Sequence, residues 1–469
     1  MKLYKTHEEI KKEIELVLEK IKEENSIINA VVNYVDTEDQ INGVNLQGKL
    51  SGVSTALKDN ISTKGTRTTA SSKILENYIP IYDATVTKKL KDAGAIIVAK
   101  ASMDELGMGG TNKTALTGPV LNPWDTSRIT GGSSGGSAAL VASGAVQISI
   151  GTDTGDSIRK PAAYCGIVGV KPTYGRISRY GVIPYASSLD HVGYFTTSVN
   201  DAAIALEVLA GRDDKDMTSS FEEVQEYSAL LKDDIKGKVV GILDNVIEAT
   251  KDVNIKSQFN ELIVKLEEKG AIIKKIKLNQ DLLRAVLPTY YLIANCEATA
   301  NHANLDSLRF GSQAEGDSAE EIMMNSRTEG FGLYLRKRFM VGSYGLFIEN
   351  QDKLFRKAQK VRRLIVEDLK NSMENVDAII AIAGGVAPKL DASLTDAYLS
   401  DEHLVAENYM IVGNFSGYPS MTLPLGFKDG CPIGVNLMSK PFMELDMFNI
   451  ALTIEGITGL KDQTVEVKK

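Results

Sequence analysis

Residues 84–100 read ATVTKKLKDAGAIIVAK: a helix-compatible segment, ATVTKKLKDAG, runs straight into AIIVAK, a short apolar run of buried-strand type. The pattern recurs downstream. KVVGIL at 238–243 is followed by the helical NIKSQFNELIVKLEEKG at 254–270, then by AIIKKIKL at 271–278, and DAIIAIA at 377–383 is a further apolar run. Strands that alternate with helices and carry continuous apolar runs are buried on both faces, so the expected fold is α/β. Its core would be a large mixed, mostly parallel β-sheet covered by helices on both faces.

Working outward, Thr6 and Glu9 form a capping-box pattern that opens a helix, with Ile10, Ile14, Val17, Leu18 and Ile21 at helical spacing. The expected organisation is a helical arm over residues 1–48 and one large domain over 49–469. Within that domain, about 213–345 is expected to form a surface or subdomain region. It includes the polar stretch 213–237 and the loop-like SLRFGSQAEGDSAEE at 307–321. The chain has 469 residues, 43% hydrophobic and 24% charged, which is ample for a sizeable core. Its formal net charge of −8 leaves no electrostatic footprint for nucleic acid, so direct DNA binding is not expected. Cys165, Cys296 and Cys431 lie far apart and form no CxxC pair, which argues against a disulfide framework and a zinc site. The charged start and the lack of an 18-residue apolar run point to a cytoplasmic chain without membrane association.

Two segments carry chemistry. GGSSGGS at 131–137 precedes the helix-compatible AALVASGA, and its glycines allow close backbone approach. No Gly-Lys-Ser/Thr follows, so it is not a phosphate loop. It satisfies G-x-S-x-G, but NPWDTSRIT before it makes a poor buried strand, and His191, His302 and His403 have no distinctive setting. The second segment is GTDTGDSIRKPAAYCGIVGVKPTYGR at 151–176, entered from the apolar VQISI. The N–H groups of Thr154, Gly155, Asp156 and Ser157 can converge into an anion nest beside Ser157. A tight turn with Ser157 as a helix cap fits the same spacing.

LKDN at 57–60, GGSSGGS and GTDTGDSIRKPAAYCGIVGVKPTYGR together, in this order, resemble the amidase signature family. That resemblance implies a relay of Lys58, Ser133 and Ser157, in which Ser133 lies beside a cis peptide bond and Ser157 is the nucleophile. Lysine can act as base only when neutral, which requires burial or a cationic neighbour. An oxyanion hole at Thr154, Gly155 and Asp156 and a supporting ion pair of Asp153 with Arg159 are implied as well. NPWD (122–125), YASSLD (185–190), EGFG (329–332), KAQKVRRLI (357–365) and PIGVNLMSKPF (432–442) narrow the likeness. They resemble the family branch that hydrolyses glutamine within tRNA-dependent amidotransferases. For such a chain the resemblance implies Tyr290, Arg338 and Asp401 as substrate contacts, with Arg338 on the α-carboxylate and Asp401 on the α-ammonium of free glutamine. It implies B and C subunits as partners in a heterotrimer, and misacylated Glu-tRNA(Gln) reached through the B subunit. No cofactor is expected in this chain, ATP and magnesium being expected at the B subunit.

Several positions depart from the family pattern. Asp156 stands where the loop usually has a second glycine, MGGTNKTA (108–115) and IAGGVAP (382–388) differ from the usual sequences, and Asn304 replaces an arginine. The retention of Lys58, Ser133, Ser157, Arg338 and Asp401 favours an active enzyme. A stand-alone amidase and a non-catalytic scaffold remain the rival readings.

Overall fold

The computed structural model describes residues 1–392 and 396–468. Its strands are β1 Val31–Tyr34, β2 Ser54–Lys58, β3 Ile96–Ala101, β4 Leu121–Asn122, β5 Asp125–Ile129, β6 Ile148–Asp153, β7 Val168–Lys171, β8 His191–Thr196, β9 Val239–Leu243, β10 Ile272–Ile276, β11 Ala378–Ile382, β12 Ser420–Lys428 and β13 Cys431–Ser439. All but the β4–β5 ribbon join one 11-stranded sheet in the order β1-β3-β2-β6-β8-β7-β12-β13-β11-β9-β10.

The apolar runs become interior strands. Every residue of β2, β3, β6 and β11 is buried, as expected of strands covered on both faces. The opening segment divides as its pattern predicts, into the helix Thr85–Asp92 and β3, with Gly94 at φ +89° turning the chain between them. The N-terminal helix His7–Ile28 has the full capping box and lays Ile10, Ile14, Ile21 and Ile28 on the core.

Parallel pairing is confined to two blocks, β3-β2-β6 and β11-β9-β10. Between them every pairing is antiparallel. The reason is local. Asp429 and Gly430, both at positive φ, close β12 on β13 as a tight hairpin, and a two-residue turn can join only antiparallel strands. The expected mixed, two-faced sheet is therefore present, with its mostly parallel character held in the flanking blocks. β9 and β10, from within the 213–345 stretch, lie in this same sheet. Edge strand β10 exposes Lys274 and Lys275, charges that discourage pairing with another chain.

Candidate active site

Lys58 is the last residue of β2 and Asp153 the last of β6, so both project from the carboxyl ends of neighbouring parallel strands, where open α/β sheets place their sites. Lys58 is 0% exposed. Its Nζ lies 2.8 Å from Ser133 Oγ, 2.8 Å from Ser134 Oγ and 2.9 Å from Thr152 Oγ1. No carboxylate lies within ion-pair reach of it among the described residues. Burial pushes its pKa from 10.5 down to about 7, against the opposing pull of Asp104, Asp153 and Asp190. A buried lysine with only hydroxyl and carbonyl neighbours is thus available as a base near neutral pH.

Ser133 is held from both sides. The Gly132–Ser133 peptide bond is cis, and the Ser133 carbonyl accepts a bond of 3.2 Å from Asp104 N. The following helix, Gly135–Ala142, packs so closely that a Cβ at Gly136 would stand 2.5 Å from the Ser102 carbonyl oxygen and 2.6 Å from that of Ala30. Only glycine permits that approach, which brings the Ser133–Ser134 turn down onto β2 and β6.

Ser157 lies in the loop between β6 and the helix Arg159–Cys165. The N-cap of that helix is Ile158 and no side chain caps it, so Ser157 does not serve as a cap. The amides of Thr154, Gly155, Asp156 and Ser157 have no acceptor among the described residues, which leaves them free to receive an anion. Ser157 Oγ makes no hydrogen bond to Ser133 here, and contacts of this kind commonly tighten only once substrate binds.

Asp153 and Arg159 hold the loop. The guanidinium donates to both Asp153 oxygens at 3.0 and 3.1 Å, to the Gly155 carbonyl at 2.7 Å and to Asn414 Oδ1 at 2.6 Å. Burial alone would push the Asp153 carboxyl up, but Arg159 reverses this and holds it well below the usual carboxylate range. Thr154 Oγ1 donates to Asp190 at 2.7 Å. At Gly155 a Cβ would stand 3.1 Å from Tyr290 Cζ, so the Tyr290 ring rests directly on the loop.

Arg338 lies in an aromatic cage. It donates to Tyr185 OH at 2.7 Å and Tyr334 OH at 2.6 Å, and stacks over Tyr291 at 4.8 Å. It is 9% exposed and has no carboxylate partner among the described residues. The structure thus brings Lys58, Ser133, Ser157, the 154–156 loop, Tyr290 and Arg338 into one region. It does not bring Asp401 there. Both Asp401 oxygens are taken by Arg284, at 2.6 and 2.8 Å, which turns that carboxylate away from the guanidinium it was expected to complement. The bidentate geometry of an arginine fork on a carboxylate accounts for the preference.

Sequence reasoning missed Ser134 and Thr152, the other two hydroxyls around Lys58, and Tyr185 and Tyr334, which hold Arg338. Ser134 and Thr152 lie inside the two motif stretches, where their positions were legible and their roles were not. Tyr185 and Tyr334 carry no local signal, because their meeting with Arg338 depends on long-range packing.

An arrangement of buried base, bridging serine, looped serine and open amide nest is that of a serine hydrolase acting on amides, and the family comparison agrees. The amidase family model matches residues 12–447, and the chain belongs to that family. Among its relatives is the glutamyl-tRNA(Gln) amidotransferase A chain of Fusobacterium nucleatum, 43% identical over 423 residues, which cover 90% of this chain and 86% of the relative. The protein of the same name from Persephonella marina is 42% identical over 439 residues, covering 92% and 88%. The crystal structure of the corresponding glutamyl-tRNA(Gln) amidotransferase chain from Thermotoga maritima superposes with a TM-score of 0.83 at 34% identity, covering 99% of this chain and 96% of that one. No helix among the described residues is long and apolar enough to cross a membrane.

Proposed function

We propose that this chain is the glutamine-hydrolysing component of a tRNA-dependent amidotransferase that converts Glu-tRNA(Gln) to Gln-tRNA(Gln). The 2.8 Å contact between a fully buried Lys58 and Ser133 carries the reading, because it supplies a base without histidine. Neutral Lys58 draws the proton of Ser133, and Ser133 draws that of Ser157. Ser157 Oγ then attacks the side-chain amide carbon of glutamine, and the amides of residues 154–157 receive the developing oxyanion. The relay returns its proton to the leaving nitrogen, so ammonia departs and a glutamyl ester remains on Ser157. Water, deprotonated through the same pair, hydrolyses the ester and releases glutamate. Arg338, buried and without a carboxylate partner, receives the substrate α-carboxylate, and Tyr290 closes the wall against Gly155.

The relatives' names support the amidotransferase assignment over a stand-alone amidase. In this reading B and C subunits complete a heterotrimer. The ammonia goes to the B subunit, where ATP and magnesium would activate the glutamate on the tRNA.

The test is a glutaminase and amidation assay on the complex co-purified with its partner subunits, wild type beside Ser157→Ala. Ser157→Ala is expected to lose glutamine hydrolysis and glutamine-dependent amidation while still using free ammonium. Asp156 beside the nucleophile is the observation that keeps a scaffold reading alive. A wild-type complex that uses free ammonium but hydrolyses no glutamine would establish it.

A further inference from the structure

Two oppositely charged groups face the substrate region without a partner of their own. Arg338 spends its donors on tyrosine hydroxyls and a 3.5 Å contact to Asn295. Asp156 is half-buried, and its carboxylate has no hydrogen-bond or ion-pair partner among the described residues. The cation nearest in sequence, Lys160, is committed to Glu407, at 2.9 Å to the carboxylate and 2.7 Å to the carbonyl. Tyr290 and Tyr291 lie in the fields of both charges, which places Arg338 and Asp156 along one aromatic wall. Burial pushes the Asp156 carboxyl up to about 6, with Lys160 and Arg159 opposing and Asp153 and Glu407 adding to the rise, so it is ionised at neutral pH.

An unpaired buried cation and an unpaired half-buried anion on one wall are each costly alone and are jointly satisfied by a zwitterion. Distance fits as well. In glutamine the amide carbon and the α-carbon are separated by two methylenes, roughly 4 Å when extended, similar to the spacing of successive Cα atoms. A carboxylate on the residue next to the nucleophile therefore stands where the α-ammonium falls once the amide reaches Ser157. Asp401, held by both oxygens on Arg284, is elsewhere.

We propose that Asp156 is the specificity residue that receives the substrate's α-ammonium, so that the pocket reads an amino-acid zwitterion between Arg338 and Asp156. The proposal rests on the glutaminase reading above and adds to it. The usual view of a carboxylate beside an oxyanion nest is that it harms catalysis. Here its charge is neutralised by the substrate itself before the oxyanion forms.

The experiment compares L-glutamine with glutaramate, the same amide without the α-amino group, on the co-purified complex. Hydrolysis is measured in wild type, Asp156→Asn and Asp401→Asn, and binding of both amides by calorimetry in a Ser157→Ala background. Wild type is expected to favour glutamine over glutaramate by about 10- to 100-fold, the scale of one charged hydrogen bond. Asp156→Asn should remove that preference while leaving glutaramate kinetics within about threefold, which also shows that the variant is folded; Asp401→Asn should retain the preference. If the preference survives Asp156→Asn, or vanishes in Asp401→Asn, this inference is overturned and the glutaminase reading stands. If wild type neither binds nor hydrolyses either amide, the glutaminase reading itself falls.

Discussion

The sharpest consequence of the structure concerns the ionisation of Lys58. The perturbation is pH. With a pKa of about 7 in place of 10.5, about half of the lysine is neutral at pH 7, about a tenth at pH 6 and about a hundredth at pH 5. An ordinary lysine would be neutral in only about one molecule in three thousand at pH 7, so burial raises the base fraction by roughly three orders of magnitude. The assay is kcat/KM for glutamine from pH 5 to 10, which reports the free enzyme's essential groups. It should rise tenfold per unit up to about pH 7 and then level. Asp156 also titrates near pH 6, so the profile is repeated in Asp156→Asn, where the bend near 7 must persist. Lys58→Arg, which cannot be deprotonated, should cost roughly 10²–10⁴ in kcat/KM. A profile that keeps climbing to pH 10, or one flat between 5 and 8, would refute the neutral-lysine mechanism. The same shift has a stability counterpart. Between about pH 7 and 10.5 the unfolded chain holds the proton that the folded chain lacks, so stability should rise with pH across that window.

Three further outcomes are expected. Arg338→Ala removes the donors for the substrate carboxylate and should raise the glutamine KM about 10- to 100-fold with kcat less affected; an unchanged KM would remove Arg338 from the binding site. Arg159→Met leaves Asp153 buried without its cation and should destabilise the chain by about 3 kcal/mol in urea denaturation, and a loss below about 1 kcal/mol would show the pair to be dispensable. Gly155→Ala forces a methyl against Tyr290 and should lower kcat/KM severalfold or more with little change in thermal midpoint; full activity would mean that the loop and ring move apart without consequence.

Much of the fold was written locally. AIIVAK, KVVGIL, AIIKKIKL and DAIIAIA each became a strand of the main sheet, because a run of apolar side chains has no solvent-facing alternative and must be covered on both sides. The order and direction of those strands were not legible. The antiparallel centre follows from a hairpin at Asp429-Gly430 and from pairings between segments hundreds of residues apart, such as β7 with β12. Alternation of helix and strand predicts parallel neighbours only where a helix supplies the crossover.

The site divides along the same line. The sequence by itself determined where the chemistry sits, since Lys58, Ser133 and Ser157 occur within short stretches whose glycines and hydroxyls have a geometric purpose. It determined too that Asp156 intrudes beside the nucleophile. Only the tertiary structure decided that Lys58 is a usable base, because its ionisation depends on burial by residues of β2, β6 and the Ser133–Ser134 turn together. It also decided which carboxylate is free. A charged side chain far in sequence from its partner shows no sign of that partner, and Arg284 holds Asp401 while Asp156 is left for the substrate. Chain connectivity places residues, but the electrostatic field that gives each one its task is summed over everything the fold brings near.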